Sequence, residues 1–126
     1  MKSIKFANGK EYEIIECYNN GKQYINGETR TCREIVLADN VISLNELKAL
    51  LSDPANLSVI EIYMNVKIDG EQIEDTEVLK NFVYADEIKD KMNGEIWFTI
   101  GEKTAMEIKN EQAVRAIDEL LIAMEV

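Results

Sequence analysis

The clearest pattern in the chain is an alternation of apolar and polar residues along one ten-residue stretch. The apolar residues at every second position are Ile60, Ile62, Met64, Val66 and Ile68. Because successive side chains of a strand point to opposite faces, this spacing predicts a strand with one face on the core and one in water. Asp69-Gly70 predicts the turn that ends it, and shorter patterns predict strands over Val78–Tyr84 and Ile96–Ile100.

The first third of the chain predicts an antiparallel meander. Strand-like segments surround Ile4, Tyr12, Tyr24 and Ile35. Three dipeptides of one type separate them: Asn8-Gly9, Asn20-Gly21 and Asn26-Gly27. Asn and Gly tolerate the positive φ angles that tight hairpin turns require, so each dipeptide predicts a turn. The consecutive Ile14-Ile15 breaks the alternation and predicts a bulge or burial on both faces.

A capped helix is predicted over about residues 43–52. The Ser43 hydroxyl can accept a hydrogen bond from the Glu46 amide while the Glu46 side chain reaches back, which is a capping box. Leu44, Leu47 and Leu51 then share one face of the helix. Proline cannot continue the helical hydrogen bonds, so Ser52-Asp53-Pro54 ends it.

The C-terminal segment allows two interpretations of its length. Thr104 and Glu107 form a second capping-box pattern, which predicts an amphipathic helix over about residues 104–124. Alternatively, Asn110 caps a shorter helix, and 104–108 is a strand with Met106 and Ile108 directed inward.

The long helix carries a candidate self-association surface. Six residues recur at heptad spacing: Met106, Asn110, Ala113, Ile117, Leu120 and Met124. Met106, Ala113 and Leu120 are assigned to heptad position a, and the other three to position d, which predicts a short coiled-coil seam with one polar residue. The alternative is a helix packed on its own sheet through Val114, Ile117, Leu121 and Met124.

These elements predict an α+β fold. It comprises an antiparallel meander sheet or incomplete barrel of five to seven strands, one capped helix and the C-terminal helix. The 126 residues contain no Gly/Ser linker and one proline, so a single domain over residues 1–126 is expected, with a C-terminal helix that packs on it or projects.

Composition then removes several classes of function. The chain has no histidine, which excludes a histidine general base, a Ser-His or Cys-His pair and a His-ligated zinc. The 24 acidic and 14 basic residues give a net charge of −10, which argues against a nucleic-acid partner. Apolar runs are only a few residues long and the N-terminus has no apolar signal core, so no membrane association is expected.

The negative charge lies almost entirely in the second half of the chain. Residues 1–56 carry 7 basic and 8 acidic residues, whereas residues 57–126 carry 7 basic and 16 acidic residues. This asymmetry has two interpretations: a solvated surface that keeps the protein in solution, or an acidic face that docks on a basic protein.

No residue cluster has the pattern of a metal or cofactor site. The acidic residues around Gly70 are Asp69, Glu71, Glu74, Asp75 and Glu77. Their spacing does not match a calcium-binding EF-hand, so a solvated acidic turn is expected there, with no metal and no cofactor. Asp86, Glu87 and Asp90 are interpreted in the same way.

Candidate nucleophiles and interface aromatics are equally sparse. Cys17 and Cys32 are expected to be free buried thiols, with a disulfide as the alternative. Arg30 and Arg33 are the nearest cations that could activate Cys32 as a thiolate. Four aromatic residues are candidates for an interface or for the core: Tyr18, Tyr24, Tyr63 and Trp97. No catalytic residues are assigned, and an enzyme built from carboxylates and a tyrosine is the least favoured hypothesis.

Three segments carry a family resemblance. Val41–Asn56, which runs into an alternating strand, resembles small proteins encoded in tail modules of phages and prophages of Firmicutes. The opening strand and Asn-Gly turn around Phe6–Glu11, and the strand, Lys-Thr and helix from Phe98 to Met124, are similar to the same proteins. The likeness is weak between Gly70 and Asn93.

The resemblance implies a virion-associated or tail-assembly role and favours the long C-terminal helix. We therefore expect a non-enzymatic phage or prophage structural protein that self-associates or binds a tail component, in the bacterial cytoplasm during assembly or in the virion. The alternative is an acidic adaptor or inhibitor that docks on a basic protein surface.

Overall fold

Nine strands and two helices make up the part of the chain that the computed structural model describes, residues 2–19 and 21–124, without the side chains of residues 66–68. The elements are β1 (Ser3–Lys5), β2 (Glu11–Glu13), β3 (Glu16–Tyr18), β4 (Lys22–Ile25), β5 (Glu28–Ala38), α1 (Leu44–Ser52), a 3-10 turn (Pro54–Leu57), β6 (Val59–Ile68), β7 (Glu71–Lys80), β8 (Tyr84–Asp90), β9 (Glu95–Gly101) and α2 (Ala105–Met124). The α+β class is confirmed, but the strands outnumber the predicted five to seven.

The strands form two antiparallel sheets that do not close into a barrel. In the first sheet the order is β2-β1-β6-β7, and in the second it is β3-β5-β9-β8, with β4 also paired to β5. The long β6–β7 hairpin is joined by Asp69 and Gly70, whose φ angles of 51° and 82° are those of a tight hairpin turn. The predicted turn residue Asn20 and the predicted inward side chains of Val66 and Ile68 lie outside the described residues.

The break in the pattern at Ile14-Ile15 is the point where the chain leaves one sheet for the other. The Ile14 amide donates to the Lys2 carbonyl at 2.9 Å, which continues the first sheet, and the Ile15 amide donates to the Val36 carbonyl at 2.7 Å, which begins the second. Ile14 is buried and Ile15 is exposed. The antiparallel strands predicted for this part of the chain are therefore divided between the sheets, with β1 and β2 in the first and β3, β4 and β5 in the second.

One hydrophobic cluster joins both sheets and α1. Its buried members include Ile4, Ile60, Ile62 and Leu79 from the first sheet, Ile35, Leu37, Ile96, Phe98 and Ile100 from the second, and Leu47, Leu50 and Leu51 from α1. Near the rim of this cluster, Arg33 of β5 bonds Glu77 of β7 at 2.6 Å and links the two sheets. Apolar burial on this scale is the main favourable term in folding.

Helix α1 begins as predicted. The Glu46 amide donates to the Ser43 hydroxyl at 3.2 Å, and Asp53 follows the last helical residue in extended conformation. The next turn begins with Pro54, and the Asp53 carboxylate accepts from the Ala55 amide at 3.0 Å.

Replacing Ser43 by alanine is expected to lower the free energy of unfolding by about 1 kcal/mol, because the first turn of α1 loses its side-chain acceptor. Urea unfolding followed by circular dichroism measures the change. Ser43→Asp, which keeps an acceptor, should remain near the wild type, and an equal loss in both variants would contradict a capping role.

The acidic segment after Gly70 is a strand and not a solvated turn. Residues Glu71–Lys80 pair with Val59–Ile68 over ten positions, and Leu79 is the single buried side chain of β7. The strand predicted over Val78–Tyr84 was also wrong, because β7 ends at Lys80, Asn81 has φ 69°, and β8 begins at Tyr84. Asp86, Glu87 and Asp90 likewise lie in a strand, β8.

Candidate interaction surface: the C-terminal helix

The long C-terminal helix is present, and its first turn is closed by a reciprocal capping box. The Thr104 amide donates to Glu107 Oε1 at 2.8 Å, and the Glu107 amide donates to Thr104 Oγ1 at 3.2 Å. The helix then runs from Ala105 to Met124. The shorter helix beginning at Asn110 and the strand over 104–108 were therefore wrong.

A buried arginine binds the start of this helix to the body, by which we mean β1–β9 with α1. The Arg30 side chain is only 1 % exposed, and all five of its N–H groups donate hydrogen bonds. Nε bonds the Ile25 carbonyl at 2.7 Å, and the two terminal nitrogens bond the Asn26 and Glu102 carbonyls at 3.3 Å each. The remaining two N–H groups bond both carboxylate oxygens of Glu107, one of them at 2.9 Å. This bidentate pair fixes the direction of α2 as well as its position.

Tyr84 and Gly101 complete the surroundings of Arg30. The guanidinium carbon lies 3.8 Å from the centre of the Tyr84 ring, and the Tyr84 hydroxyl donates to Glu107 Oε2 at 3.2 Å. A Cβ on Gly101 would lie 3.2 Å from Arg30 Cδ and 3.1 Å from Ile25 Cδ1, so glycine leaves the space that the arginine occupies. We call Arg30, Tyr84 and Glu107 the anchor.

Both charges of the anchor persist over the physiological pH range. The hydrogen bonds from Arg30 and from the Thr104 amide lower the pKa of Glu107 from its usual 4.5 to about 2. In the same contact the Glu107 carboxylate raises the pKa of Arg30.

This pKa shift predicts how stability depends on pH. Glu107 has a lower pKa in the folded chain, so its contribution is complete above about pH 4.5 and is lost as the pH falls through about 2. The difference in unfolding free energy between wild type and Glu107→Gln should be constant above pH 4.5 and shrink below it. Urea unfolding of both proteins over pH 2–7 measures this difference, and a difference that is unchanged by acid would contradict the assignment.

Beyond its first two turns, α2 leaves the body. Within the described residues, hydrogen bonds from the preceding chain to α2 side chains end at Glu111, which accepts from Lys103, in the segment that joins β9 to α2, at 3.0 Å. More than half of each large apolar side chain further along is exposed: Val114, Ile117, Leu120, Leu121, Ile122 and Met124. Packing of the helix on its own sheet through Val114, Ile117, Leu121 and Met124 was therefore wrong, and α2 projects.

The six heptad residues lie on one face of α2. The heptad positions predicted for them were wrong, because a and d were exchanged. Met106 and Asn110 are four residues apart, and the next step to Ala113 is three. Since position d precedes the following a by four residues, Met106, Ala113 and Leu120 are d, and Asn110, Ile117 and Met124 are a. We call these six residues the seam.

The seam faces away from the body even where the helix is bound. At 100° per residue, Ile108 and Glu111 lie on the side of α2 opposite the seam, and Glu107 lies on the flank of the seam, three residues before Asn110. Glu107 and Ile108 are half-buried against the body, whereas Met106 is 66 % exposed and Asn110 is exposed. The body therefore covers none of the six seam residues.

The two cysteines are free as expected, but only Cys32 is buried, and Cys17 is half-buried. Burial raises the pKa of Cys17 to about 11, and burial also raises the pKa of Cys32. Arg30 and Arg33, the cations proposed to activate Cys32, are paired with Glu107 and Glu77. Neither thiol therefore has the lowered pKa that an activated thiolate requires.

Two of the four candidate interface aromatic residues, Tyr18 and Trp97, lie on the outer face of the second sheet. Tyr18 stacks on Trp97 with ring centres 5.8 Å apart, and the Lys91 amine lies 4.7 Å from the centre of the Trp97 ring. Tyr24, on β4, is 74 % exposed, whereas Tyr63 is half-buried and donates to Glu61. The four aromatic residues do not form one patch.

The anchor is the functional feature that the sequence patterns did not predict. The sequence indicates Arg30 only as a cation near Cys32, and Tyr84 only as a strand residue. The one available signal was an arginine inside an extended segment that alternates with threonine and cysteine from Thr29 to Cys32.

The described residues form shallow grooves, and their acidic and sulfur side chains do not gather as metal ligands. A groove of about 270 Å³ lies between α1 and the β1–β2 hairpin, and Glu46 is the one carboxylate among its described lining residues. Across the described residues, no three His, Cys, Asp or Glu side chains converge as metal ligands would. Neither helix of the described chain has the length and apolar character needed to cross a lipid bilayer. Comparison of the chain with protein-family models, curated proteins and solved structures found no match.

Proposed function

We propose that this protein is a non-enzymatic assembly protein of a phage or prophage tail module that acts through protein–protein contacts of α2. The observation that carries the proposal is the state of this helix: it is bound to the body at its start, yet none of its residues is buried. A contiguous exposed apolar face of this kind is typical of a surface that another protein covers.

The anchor supports this function because it fixes the direction in which the helix is presented. A free helix of twenty residues is marginally stable in water, and its folding on binding would cost conformational entropy. The bidentate Arg30–Glu107 pair and the capping box order the first turn in advance. Such pre-ordering favours a role in which α2 is a permanent recognition element.

The tail-module assignment is supported by the resemblance of Val41–Asn56 and of the chain ends to small tail-module proteins. The absence of histidine from the sequence supports a non-enzymatic role, because it removes the commonest general base. The resemblance also favours a protein that acts in the bacterial cytoplasm during assembly and is later present in the virion.

The occupant of the seam that we propose is a second copy of the chain. Size-exclusion chromatography with light scattering, over about 1 μM to 1 mM protein, should give a mass above 14.4 kDa that rises with concentration. Ile117→Asp, in the seam, should return the protein to a monomer. Ile122→Asp is the matched control, because Ile122 is as exposed but lies on another side of the same helix. A strict monomer at the highest concentration would refute self-association.

A second candidate function, an acidic adaptor docking on a basic protein, is favoured by strand β7. This strand lies at the edge of its sheet, and Glu71, Glu74, Asp75 and Glu77 are exposed along it. Its outer edge offers unpaired backbone groups to an added strand, and the charges would select a basic one. Binding of a basic partner should weaken steeply as salt rises, whereas an apolar seam should not weaken.

A further inference from the structure

We infer that two copies of α2 pair in parallel and in register, with Asn110 of one chain opposite Asn110 of the other. This inference rests on the proposed self-association and adds its orientation, its register and the number of chains. It starts from the seam, whose spacing places Asn110 at an a position. The other five seam residues, from Met106 to Met124, are apolar.

The polar residue selects the parallel arrangement. In a parallel pair, equal a positions meet, so the two Asn110 amides can donate to and accept from each other. In an antiparallel pair of the same two helices, Asn110 would lie near Leu120 or Met124 of the other chain. A buried amide without a hydrogen-bond partner is costly, and the antiparallel pair is therefore disfavoured.

The remaining seam residues favour two chains. Ile117 at a and Leu120 at d are the arrangement that two-stranded parallel coiled coils prefer, and a single Asn at an a position has the same preference. The small Ala113 lets the helices approach closely between these two layers. The twenty residues extend about 30 Å, which is about three heptads and predicts a weak, concentration-dependent dimer.

The position of the body is compatible with a parallel pair. Ile108 faces the body from the side of α2 opposite the seam, and Glu107 contacts the body from the flank of the seam, so each body stands beside the pair and not between the helices. Both bodies then lie at the same end of the coiled coil. Each chain carries a net charge of −10, so the bodies repel and salt should strengthen the dimer.

Cysteine cross-linking tests the orientation. Met124→Cys and Met106→Cys each place a thiol at one end of the seam, about 27 Å from the other end. Under mild oxidation each variant alone should form a disulfide dimer, and a mixture of the two should give homodimers with little cross-link between them. The unmodified chain, which keeps Cys17 and Cys32, is the control.

Asn110→Ile tests the role of the asparagine. It should tighten association at least tenfold and allow the Met106→Cys and Met124→Cys chains to cross-link with each other, because the antiparallel pair no longer buries a lone amide. Raising NaCl from about 50 mM to 500 mM should tighten the wild-type dimer.

The outcomes separate this inference from the proposed function. Three results would overturn the parallel dimer while leaving self-association intact. They are disulfide cross-links that form only in the mixture of the two cysteine variants, a mass of three or more chains, and an affinity between Asn110→Ile chains that equals that of the wild type. A wild-type chain that stays monomeric would overturn both.

Discussion

Replacing Phe98 by alanine is expected to lower the free energy of unfolding by about 3–5 kcal/mol. The Phe98 side chain is 1 % exposed and lies in the cluster between the two sheets. Its strand β9 is central in its sheet, and Phe98 pairs with Ile35 on one side and Ile88 on the other. Because neighbours on both strands are held in place by backbone pairing, they cannot move far enough to fill the cavity.

Urea unfolding of the full chain measures this loss, with two variants as comparison. Phe98→Leu keeps most of the volume and should lose less than half as much as Phe98→Ala. Val78→Ala removes an apolar side chain that is half exposed on β7, and it should stay within about 0.5 kcal/mol of the wild type. If Phe98→Ala cost no more than Val78→Ala, the assignment of Phe98 to the centre of the core would be wrong.

The elements predicted correctly are those whose signals are local. Helix α1 has its cap, its apolar face and its terminating proline within twelve residues, and β6 has an alternation that is visible without reference to any partner. Thr104 and Glu107 similarly specify the start of α2 through two hydrogen bonds between neighbouring residues. Short-range hydrogen bonds and side-chain periodicity are properties of the segment itself.

The elements predicted wrongly depend on distant partners. The acidic residues of Glu71–Lys80 have low intrinsic preference for strands, yet β7 forms because all ten residues pair with β6. The switch between sheets at Ile14-Ile15 depends on the carbonyls of Lys2 and Val36, of which only the first is near in sequence. Pairing in space therefore overrode local preference at both places.

The candidate interaction surface combines both kinds of information. The apolar heptad of α2 is a property of the segment, and its exposure is a property of the fold. The body binds α2 through Arg30, which lies 77 residues from Glu107, and no spacing rule connects the two. Because the anchor binds only the beginning of the helix, the seam remains available along its length, and a residue far from the seam decides how the seam is presented.

Removing the Glu107 carboxylate is expected to destabilise the body and release the helix together. In Glu107→Ala the buried Arg30 guanidinium loses two hydrogen bonds and its counter-charge, and the Thr104 amide loses its acceptor in the capping box. Breaking a buried ion pair from one side costs about 3–5 kcal/mol, and the lower end applies here because the Glu107 side chain is 27 % exposed. Urea unfolding measures the stability, and hydrogen exchange of the amides of residues 107 and 108, which donate to Thr104, measures the release of the first turn.

The double variant Arg30→Met, Glu107→Ala separates the buried charge from the cap. It removes both charges and leaves an apolar side chain beside Tyr84, so it should be more stable than Glu107→Ala by at least about 1 kcal/mol. The first turn of α2 should still exchange rapidly, since neither the Glu107 half of the capping box nor the ion pair is present. If the double variant were less stable than Glu107→Ala, the uncompensated charge of Arg30 would not be the source of the loss. If the first turn stayed protected in both variants, contacts other than the anchor would bind α2 to the body.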